Sequence, residues 1–169
     1  MNGFVEIKPE QITDNVFKLV GKDWMLITSG NKKKYNTMTA SWGGFGVIWG
    51  KMACFCTIRP NRYTYEFVEK NDSFTLTFFD EKYRNALNFC GTKSGRDVDK
   101  AAETGLTPVE SDNGSVYFDE ARLVIECKKI YYQDLIPGNF LDLDIEKLYP
   151  QKDYHRMYIG EITKCYVKE

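Results

Sequence analysis

The sequence predicts a mainly β protein, built as a closed or partly open β-barrel with a few short helices. Short segments in which apolar and polar residues alternate recur along most of the 169 residues, and such alternation is typical of half-buried strands. Turn-forming glycine, asparagine and proline residues separate these segments. No repeat, linker or low-complexity run divides the chain, so we expect one domain over residues 1–169.

The first half of the chain is predicted to be rich in strands. Its segments are apolar or β-branched and are bounded by turns such as Gly21-Lys22-Asp23, and Pro60 closes one of them because proline cannot donate to a ladder. Thr64 is positioned to cap a short helix that ends at Asn71-Asp72. Strands in this half are predicted over residues 17–21, 25–29, 36–42, 51–58 and 73–79.

The second half begins with helical spacing and then returns to strands. Residues 81–90 have apolar side chains spaced for one helical face, with Gly91 as a stop signal, and Ser94-Gly95-Arg96-Asp97 is predicted to start a short helix that Gly105 closes. Residues 140–149 fit a strand or a short helix equally well. Strands are predicted over residues 107–110, 116–118, 121–132 and 157–166.

The most informative stretch is Asn36-Thr37-Met38-Thr39-Ala40-Ser41-Trp42. Its hydroxyls fall at every second position, so in a strand they form a polar ribbon while the other face packs. A ribbon of hydroxyls that ends in a tryptophan and two glycines suits a flat polar ligand, since donors, acceptors and close backbone approach are all present. The alternative is an ordinary amphipathic strand with one wetted face.

Several cations and hydroxyls near turns indicate an anion site. Ser94-Gly95-Arg96-Asp97 places a hydroxyl and a guanidinium at a predicted helix N-terminus, and Lys100 follows one turn later. Arg59, at the end of a strand, is a second candidate. The alternatives are that Ser94 or Asp97 only caps a helix and that Arg59 only pairs with a carboxylate.

Composition excludes other classes of function. The net charge of −1, with both signs interspersed, gives no nucleic-acid footprint, and no apolar run is long enough for a membrane span. We therefore expect a cytoplasmic protein without a leader in residues 1–10. The five cysteines are expected to be reduced and mostly buried, and a single histidine leaves no convincing metal site or hydrolytic triad.

Taken together in their order along the chain, the motifs resemble those of the flavin reductase-like, FMN-binding split-barrel family, which includes the flavoredoxins. The resemblance covers roughly residues 17–167. It rests on the stretch from Asn36 to Gly43, on Cys56-Thr57-Ile58-Arg59-Pro60 with Arg62 and Thr64, on Cys90-Gly91 with Ser94-Gly95-Arg96-Asp97 and Lys100, and on Tyr158-Ile159-Gly160-Glu161-Ile162.

The resemblance implies a Greek-key split barrel, a homodimer, and FMN held near the dimer interface, with the flavin supplying the redox chemistry. Two strands would line the ring and ribityl chain, and the phosphate would fall among Arg59, Ser94, Arg96 and Lys100. The cofactor-binding residues so implied are Asn36, Thr37, Thr39, Ala40, Ser41, Trp42, Cys56, Thr57, Arg59, Ser94, Arg96 and Lys100.

The resemblance leaves the electron donor open. Members that use NAD(P)H often carry Gly-Asp-His before the closing strand, whereas this chain reads Lys152-Asp153-Tyr154-His155-Arg156, with His155 about where a donor-contacting histidine would lie. Its alternative role is that of a surface loop residue. Three functions follow as hypotheses: an FMN-dependent oxidoreductase using NAD(P)H, a flavoredoxin-like carrier between redox proteins, and a non-catalytic flavin-binding or assembly module.

Overall fold

The computed structural model describes residues 3–169, and its main element is an antiparallel sheet of eight strands. Residues 1–10 are the stretch in which we expect no leader, and the first two of them, Met1 and Asn2, lie outside the described residues. Seven strands pair in the order β3-β2-β6-β9-β10-β5-β4, β1 pairs with β10, and β7 and β8 form a separate pair. The strands are β1 (Phe4–Ile7), β2 (Met25–Asn31), β3 (Lys34–Ala40), β4 (Gly43–Ile48), β5 (Lys51–Ile58), β6 (Ser73–Phe78), β7 (Pro108–Glu110), β8 (Val116–Phe118), β9 (Leu123–Asp134) and β10 (Arg156–Lys168).

The helices are short and lie between strands. The α-helices are α1 (Val16–Lys18), α2 (Tyr63–Lys70), α3 (Arg84–Thr92) and α4 (Lys100–Thr104). A π-helical turn spans Leu19–Asp23, and 3₁₀ turns span Pro9–Gln11, Glu81–Tyr83, Pro137–Asn139 and Leu143–Leu148. None of the helices within residues 3–169 has the length and apolar character that a membrane span needs.

Two apolar clusters fill the two sides of the sheet. One lies within the barrel and includes Ile27, Leu76 and Ile125, which align across β2, β6 and β9. The other lies under α3 and α4 and includes Leu87 and Phe118. All five cysteines are free and buried in these clusters. The sheet therefore presents neither face to solvent over its central strands.

The strand predicted over residues 17–21 is wrong. The segment is helical because Asn15 caps it, its Oδ1 atom accepting a hydrogen bond from the Lys18 amide at 3.1 Å. Leu19 and Val20 are buried in the barrel cluster with Val16 packed against it, which is the i, i+3, i+4 spacing of one helical face. The strands at Phe4–Ile7 and Gly43–Ile48 were not predicted, the latter because glycine-rich segments carry little strand signal.

Three predicted helix boundaries are also wrong. No helix begins at Ser94; α4 begins at Lys100 and is capped by Asp99, whose Oδ1 accepts from the amides of Ala101 and Ala102. Thr64 lies inside α2 and does not cap it, and Gly91 lies inside α3. Gly105 does close α4, with a φ of 70° that glycine adopts without strain. The segment left open between strand and helix contains the 3₁₀ turn Leu143–Leu148.

Candidate functional site

A polar cleft of about 630 Å³ opens where β3 and β5 approach each other without pairing in the ladder. The end of β3 and the following turn form one wall, Thr57 and the turn after β5 form the other, and the segment before β10 closes one end. The lining residues are Met38, Thr39, Ala40, Ser41, Trp42, Thr57, Arg59, Asn61, Arg62, Asp153 and His155. The volume lies within the range of small-molecule and cofactor sites.

The predicted polar ribbon is less open than its alternation indicates. Thr37 is buried, and its hydroxyl is 2.9 Å from that of Thr28 on the neighbouring strand. The Thr39 hydroxyl donates to the Leu87 carbonyl of α3 at 2.5 Å, so α3 covers that side of β3. Gly43, predicted to allow a ligand close to the backbone, instead lets β4 approach β5, since a Cβ there would lie 2.6 Å from the Phe55 carbonyl oxygen.

Two groups in the cleft lack hydrogen-bond or ion-pair partners among residues 3–169. The Thr57 hydroxyl is buried without a hydrogen-bond partner among the described residues. The Arg62 guanidinium makes no hydrogen bond or ion pair within residues 3–169, although all other arginines of the chain do. Burial and the neighbouring Arg59 lower the pKa of Arg62 from its ordinary value. An unpaired, partly buried cation beside a buried hydroxyl is suited to an anionic ligand.

Arg59 is already engaged by protein groups. Its Nη1 atom lies 2.7 and 2.8 Å from the two carboxylate oxygens of Asp153, and its Nη2 atom donates to the Leu148 carbonyl at 2.9 Å. Hydrogen bonding from Arg59 lowers the pKa of Asp153. The alternative that Arg59 pairs with a carboxylate therefore describes this structure, and the pair fixes the segment before β10 against the cleft.

His155 lies in the cleft and not on a surface loop. Its Nδ1 atom is 2.9 Å from the Tyr149 hydroxyl, and its ring centroid is 4.9 Å from that of Trp42. Burial, with a smaller effect of the positive charge on Arg59, lowers the pKa of His155 to about 4. The imidazole is therefore neutral at physiological pH and offers a hydrogen bond without a charge.

The remaining predicted residues lie away from this cleft. Cys56 belongs to the barrel cluster, and burial raises the pKa of its thiol well above the usual range. Lys100 is buried and donates to the carbonyls of Thr37 at 2.7 Å and Cys90 at 2.8 Å, which ties β3 to α3; burial lowers its pKa to about 8. Asn36, Arg96 and Lys100 line a second polar hollow of about 410 Å³.

Arg96 connects the hollow to the cleft. Its Nη2 atom pairs with Glu66 at 2.5 Å, its Nη1 atom lies 3.5 Å from the carbonyl of Asn61 in the cleft wall, and its backbone amide donates to the Ser94 hydroxyl at 3.2 Å. Arg62 is also close enough to Lys100 to lower its pKa. Of the predicted phosphate candidates, Arg59 thus lines the cleft together with Arg62, while Arg96 and Lys100 line the second hollow.

Sequence reasoning did not assign Met38, Asn61, Arg62 or Asp153 to the site. Arg62 had a signal, since it is a second cation in the same turn as Arg59. The pairing of Asp153 with Arg59 had none, because the two residues are 94 positions apart in sequence and only the fold brings them together.

The model of the flavin reductase like domain matches residues 18–169. No curated protein matches the chain. Several solved structures share the fold at low sequence identity.

Three of these structures illustrate the likeness. An FMN-binding domain of a flavin reductases-like enzyme from Shewanella baltica has 15% identity and a TM-score of 0.70, with 98% of this chain and 77% of that chain covered. Flavoredoxin of Desulfovibrio vulgaris has 22% identity and a TM-score of 0.69, with 96% and 78% covered. Nitrilotriacetate monooxygenase component B from Bacillus cereus has 20% identity and a TM-score of 0.68, with 98% and 82% covered.

These matches confirm the predicted fold class, a mainly β split barrel of the FMN-binding type, and the family that the motifs indicated. The family model accounts for all of the chain from Lys18 onward, including every residue of the cleft. The chain belongs to the flavin reductase like domain family.

Proposed function

We propose that the protein is an oxidoreductase that holds FMN in the cleft and is reduced by NAD(P)H. The observation that carries the proposal is the cleft itself, which combines a wall of strand backbone, the unpartnered Thr57 hydroxyl and the unpaired Arg62 guanidinium. An isoalloxazine ring needs polar partners along its edge and an apolar wall behind it, while a phosphate needs cations at the far end. The described residues fit all three requirements.

Each wall has a separate role in this proposal. Thr39, Ala40, Ser41 and Trp42 border the ring and ribityl chain, with Thr57 opposite them. Arg62 is the first choice for the phosphate, because Arg59 is bonded to Asp153 and Arg96 is bonded to Glu66. When bound, FMN supplies the chemistry by accepting two electrons from one donor and passing them on. The protein positions the ring between the residues that line the cleft.

His155 is the residue that we propose for contact with the nicotinamide donor. The imidazole is neutral, is held by Tyr149 and packs against Trp42 at one end of the cleft. A neutral ring held in place can contact a carboxamide or ribose without repelling a cationic nicotinamide product. The motif before β10 departs from that of NAD(P)H-using relatives, so the donor requires a direct test.

The test is reduction of the flavin-loaded protein in a stopped-flow spectrophotometer without oxygen. Rapid bleaching of the flavin bands by NADH or NADPH, weakened in a His155→Ala variant, is the expected result. Bleaching only by a reduced redox protein would instead support the flavoredoxin-like carrier, the second candidate function. A protein that shows no affinity for FMN in a fluorescence titration would refute both and leave the non-catalytic assembly module.

A homodimer is also part of the proposal. Ile48, Trp49, Phe55 and Tyr131, which we call the hairpin patch, are exposed large side chains on β4, β5, β9 and the turn between β4 and β5, and the rings of Trp49 and Tyr131 are 5.8 Å apart. A contiguous apolar patch of this kind is typical of a subunit interface. We expect a dimer in sedimentation velocity and a monomer for Trp49→Ser. An unchanged sedimentation coefficient for that variant would move the interface elsewhere.

A further inference from the structure

The segment of residues 135–155, which we call the strap, joins β9 to β10 and exposes large aliphatic side chains. Leu141 is 99% exposed and Leu143 is 80% exposed, and Ile136 and Leu148 are also exposed. A single exposed leucine is ordinary, but four large aliphatic side chains exposed within one short segment leave an unusually large apolar area in contact with water. Clusters of this kind mark sites of interaction with other molecules.

The exposed leucines alternate with carboxylates. The central part of the strap has the sequence Leu141-Asp142-Leu143-Asp144-Ile145-Glu146-Lys147-Leu148. Its three acidic residues and one basic residue give these eight positions a net charge of −2. The acidic side chains keep local roles, since Asp142 accepts from the Asp144 amide and Glu146 is hydrogen-bonded to Tyr154. They are nevertheless exposed, and the surface is therefore both apolar and negatively charged.

The strap is fixed from its inner side. Tyr149 is buried and stacks on Phe140 with ring centroids 6.1 Å apart, while Arg59 lies 4.9 Å from the Tyr149 ring. Arg59 also bonds Leu148 and Asp153, at two points along the strap. Aromatic rings and an ion pair fill the inner side of the strap. The leucine side chains therefore face solvent, and the contacts of Arg59 and Tyr149 fix the backbone that carries them.

The strap also borders the cleft. Asp153 and His155, near its end, line the cleft in which we place FMN. The carbonyl of Leu148 also accepts from Arg59 in the cleft lining, so a molecule seated on the strap would lie close to the proposed flavin site. Electron transfer between proteins uses small interfaces, below about 1,200 Å², of the kind that a short strap can supply.

We infer that the strap is the docking site of a protein electron acceptor whose surface has an apolar centre surrounded by lysines and arginines. The inference rests on the proposed binding of FMN. A basic partner matches the net negative charge, which speeds encounter and fixes orientation. A second copy of this chain fits less well, because the chain has a net charge of −1 and so no excess of basic groups to match Asp142, Asp144 and Glu146. The hairpin patch offers a second copy a surface without those three carboxylates.

Ferric cytochrome c, a basic haem protein, is the probe. The FMN-loaded protein is reduced with dithionite, the excess is removed, and cytochrome c is mixed in without oxygen. Two molecules of cytochrome c each take one electron from one reduced flavin, which returns to the oxidised form and releases two protons. We expect the second-order rate constant to fall about tenfold in Leu141→Ser/Leu143→Ser and to fall less in Asp144→Asn. Raising NaCl from about 20 to about 200 mM should also lower it in the parent protein.

Two controls make the test specific. Phe17→Ser removes an equally exposed residue, at 88%, from α1, outside the strap and the cleft lining, and should leave the rate unchanged. Ferricyanide, a small acceptor that needs no docking surface, should oxidise all variants at the same rate. Equal rates with cytochrome c in the parent protein and the strap variant would overturn the inference. So would a strap variant that sediments as a monomer while the parent protein is a dimer.

The flavin-free protein separates the inference from the function on which it rests. Binding of immobilised cytochrome c at low salt, measured by surface plasmon resonance, needs no flavin. Weaker binding by the strap variant than by Phe17→Ser would support the surface even in a protein that holds no FMN. Equal binding by the two would refute the surface even if FMN binds tightly.

Discussion

Removing the Arg62 guanidinium should weaken FMN binding strongly and riboflavin binding hardly at all. The side chain has no hydrogen-bond or ion-pair partner within residues 3–169, so Arg62→Gln breaks no internal ion pair there and leaves no buried carboxylate unpaired. Its position at the start of α2 depends on its backbone, whose carbonyl accepts from the Tyr65 amide at 3.0 Å. The folded structure should therefore tolerate the change.

The magnitude follows from the chemistry of the lost contact. A hydrogen bond to a charged group contributes about 1.5 to 3 kcal/mol, and each 1.4 kcal/mol is about a tenfold change in the dissociation constant. Arg62→Gln should then raise the dissociation constant for FMN about 10- to 150-fold. Riboflavin lacks the phosphate, so its dissociation constant should change less than about twofold.

Quenching of flavin fluorescence on binding measures both constants under the same conditions. Arg96→Gln is the matched control, because Arg96 is a neighbouring cation that is already paired with Glu66 and stacked 4.6 Å from the Tyr63 ring. We expect a smaller loss of FMN affinity in that variant. Equal losses for FMN and riboflavin in Arg62→Gln would show that Arg62 does not contact the phosphate. A larger effect in Arg96→Gln would move the phosphate to the second hollow.

Three other outcomes are expected. Ser41→Ala should weaken FMN binding modestly, by about 0.5 to 1.5 kcal/mol, since one neutral hydrogen bond is lost; a titration with no change would remove Ser41 from the site. The pKa of His155, lowered to about 4 by burial, lies below its value of about 6.5 in the unfolded chain, so the unfolded state binds more protons between these values. The contribution of neutral His155 to the free energy of unfolding should therefore fall as the pH drops from about 6.5 towards 4. Over that range the urea midpoint of the His155→Gln variant should decrease less than that of the parent protein. Gly95→Ala should lower the free energy of unfolding by about 1 to 3 kcal/mol, because the new Cβ would lie 1.8 Å from Asn36 Oδ1; Gly138→Ala, with no atom within 4 Å of its new Cβ, is the control.

Local alternation predicted most of the sheet. β2, β3, β5, β6, β9 and β10 lie where period-two patterns place them, because a strand with one face in a core needs that pattern. The pattern failed where local chemistry was misjudged. The Asn15 cap turned residues 17–21 into a helix, and the polar turn from Ser94 was assigned to a helix that begins at Lys100.

The sequence also identified one side of the candidate site. Residues 39–42, with Thr57 and Arg59, lie together in the cleft as the motifs indicated. It could not tell which polar groups are free. The hydroxyls of Thr37 and Thr39 are hydrogen-bonded to neighbouring protein groups, while that of Thr57 has no partner in the described part of the chain. Hydrogen-bond satisfaction depends on groups from distant segments, which spacing along the chain does not report.

The amino-acid sequence by itself determined the strand-rich architecture, the family, and the stretch of β3 from which the cleft wall is built. Tertiary structure alone decided which cation is available to an anion, since Arg59 meets Asp153 from 94 residues away while Arg62, three residues after Arg59, meets no such partner among the described residues. The reason is physical. Alternation and propensity act over a few neighbouring residues, whereas charge pairing acts through space and depends on which segments the sheet brings together.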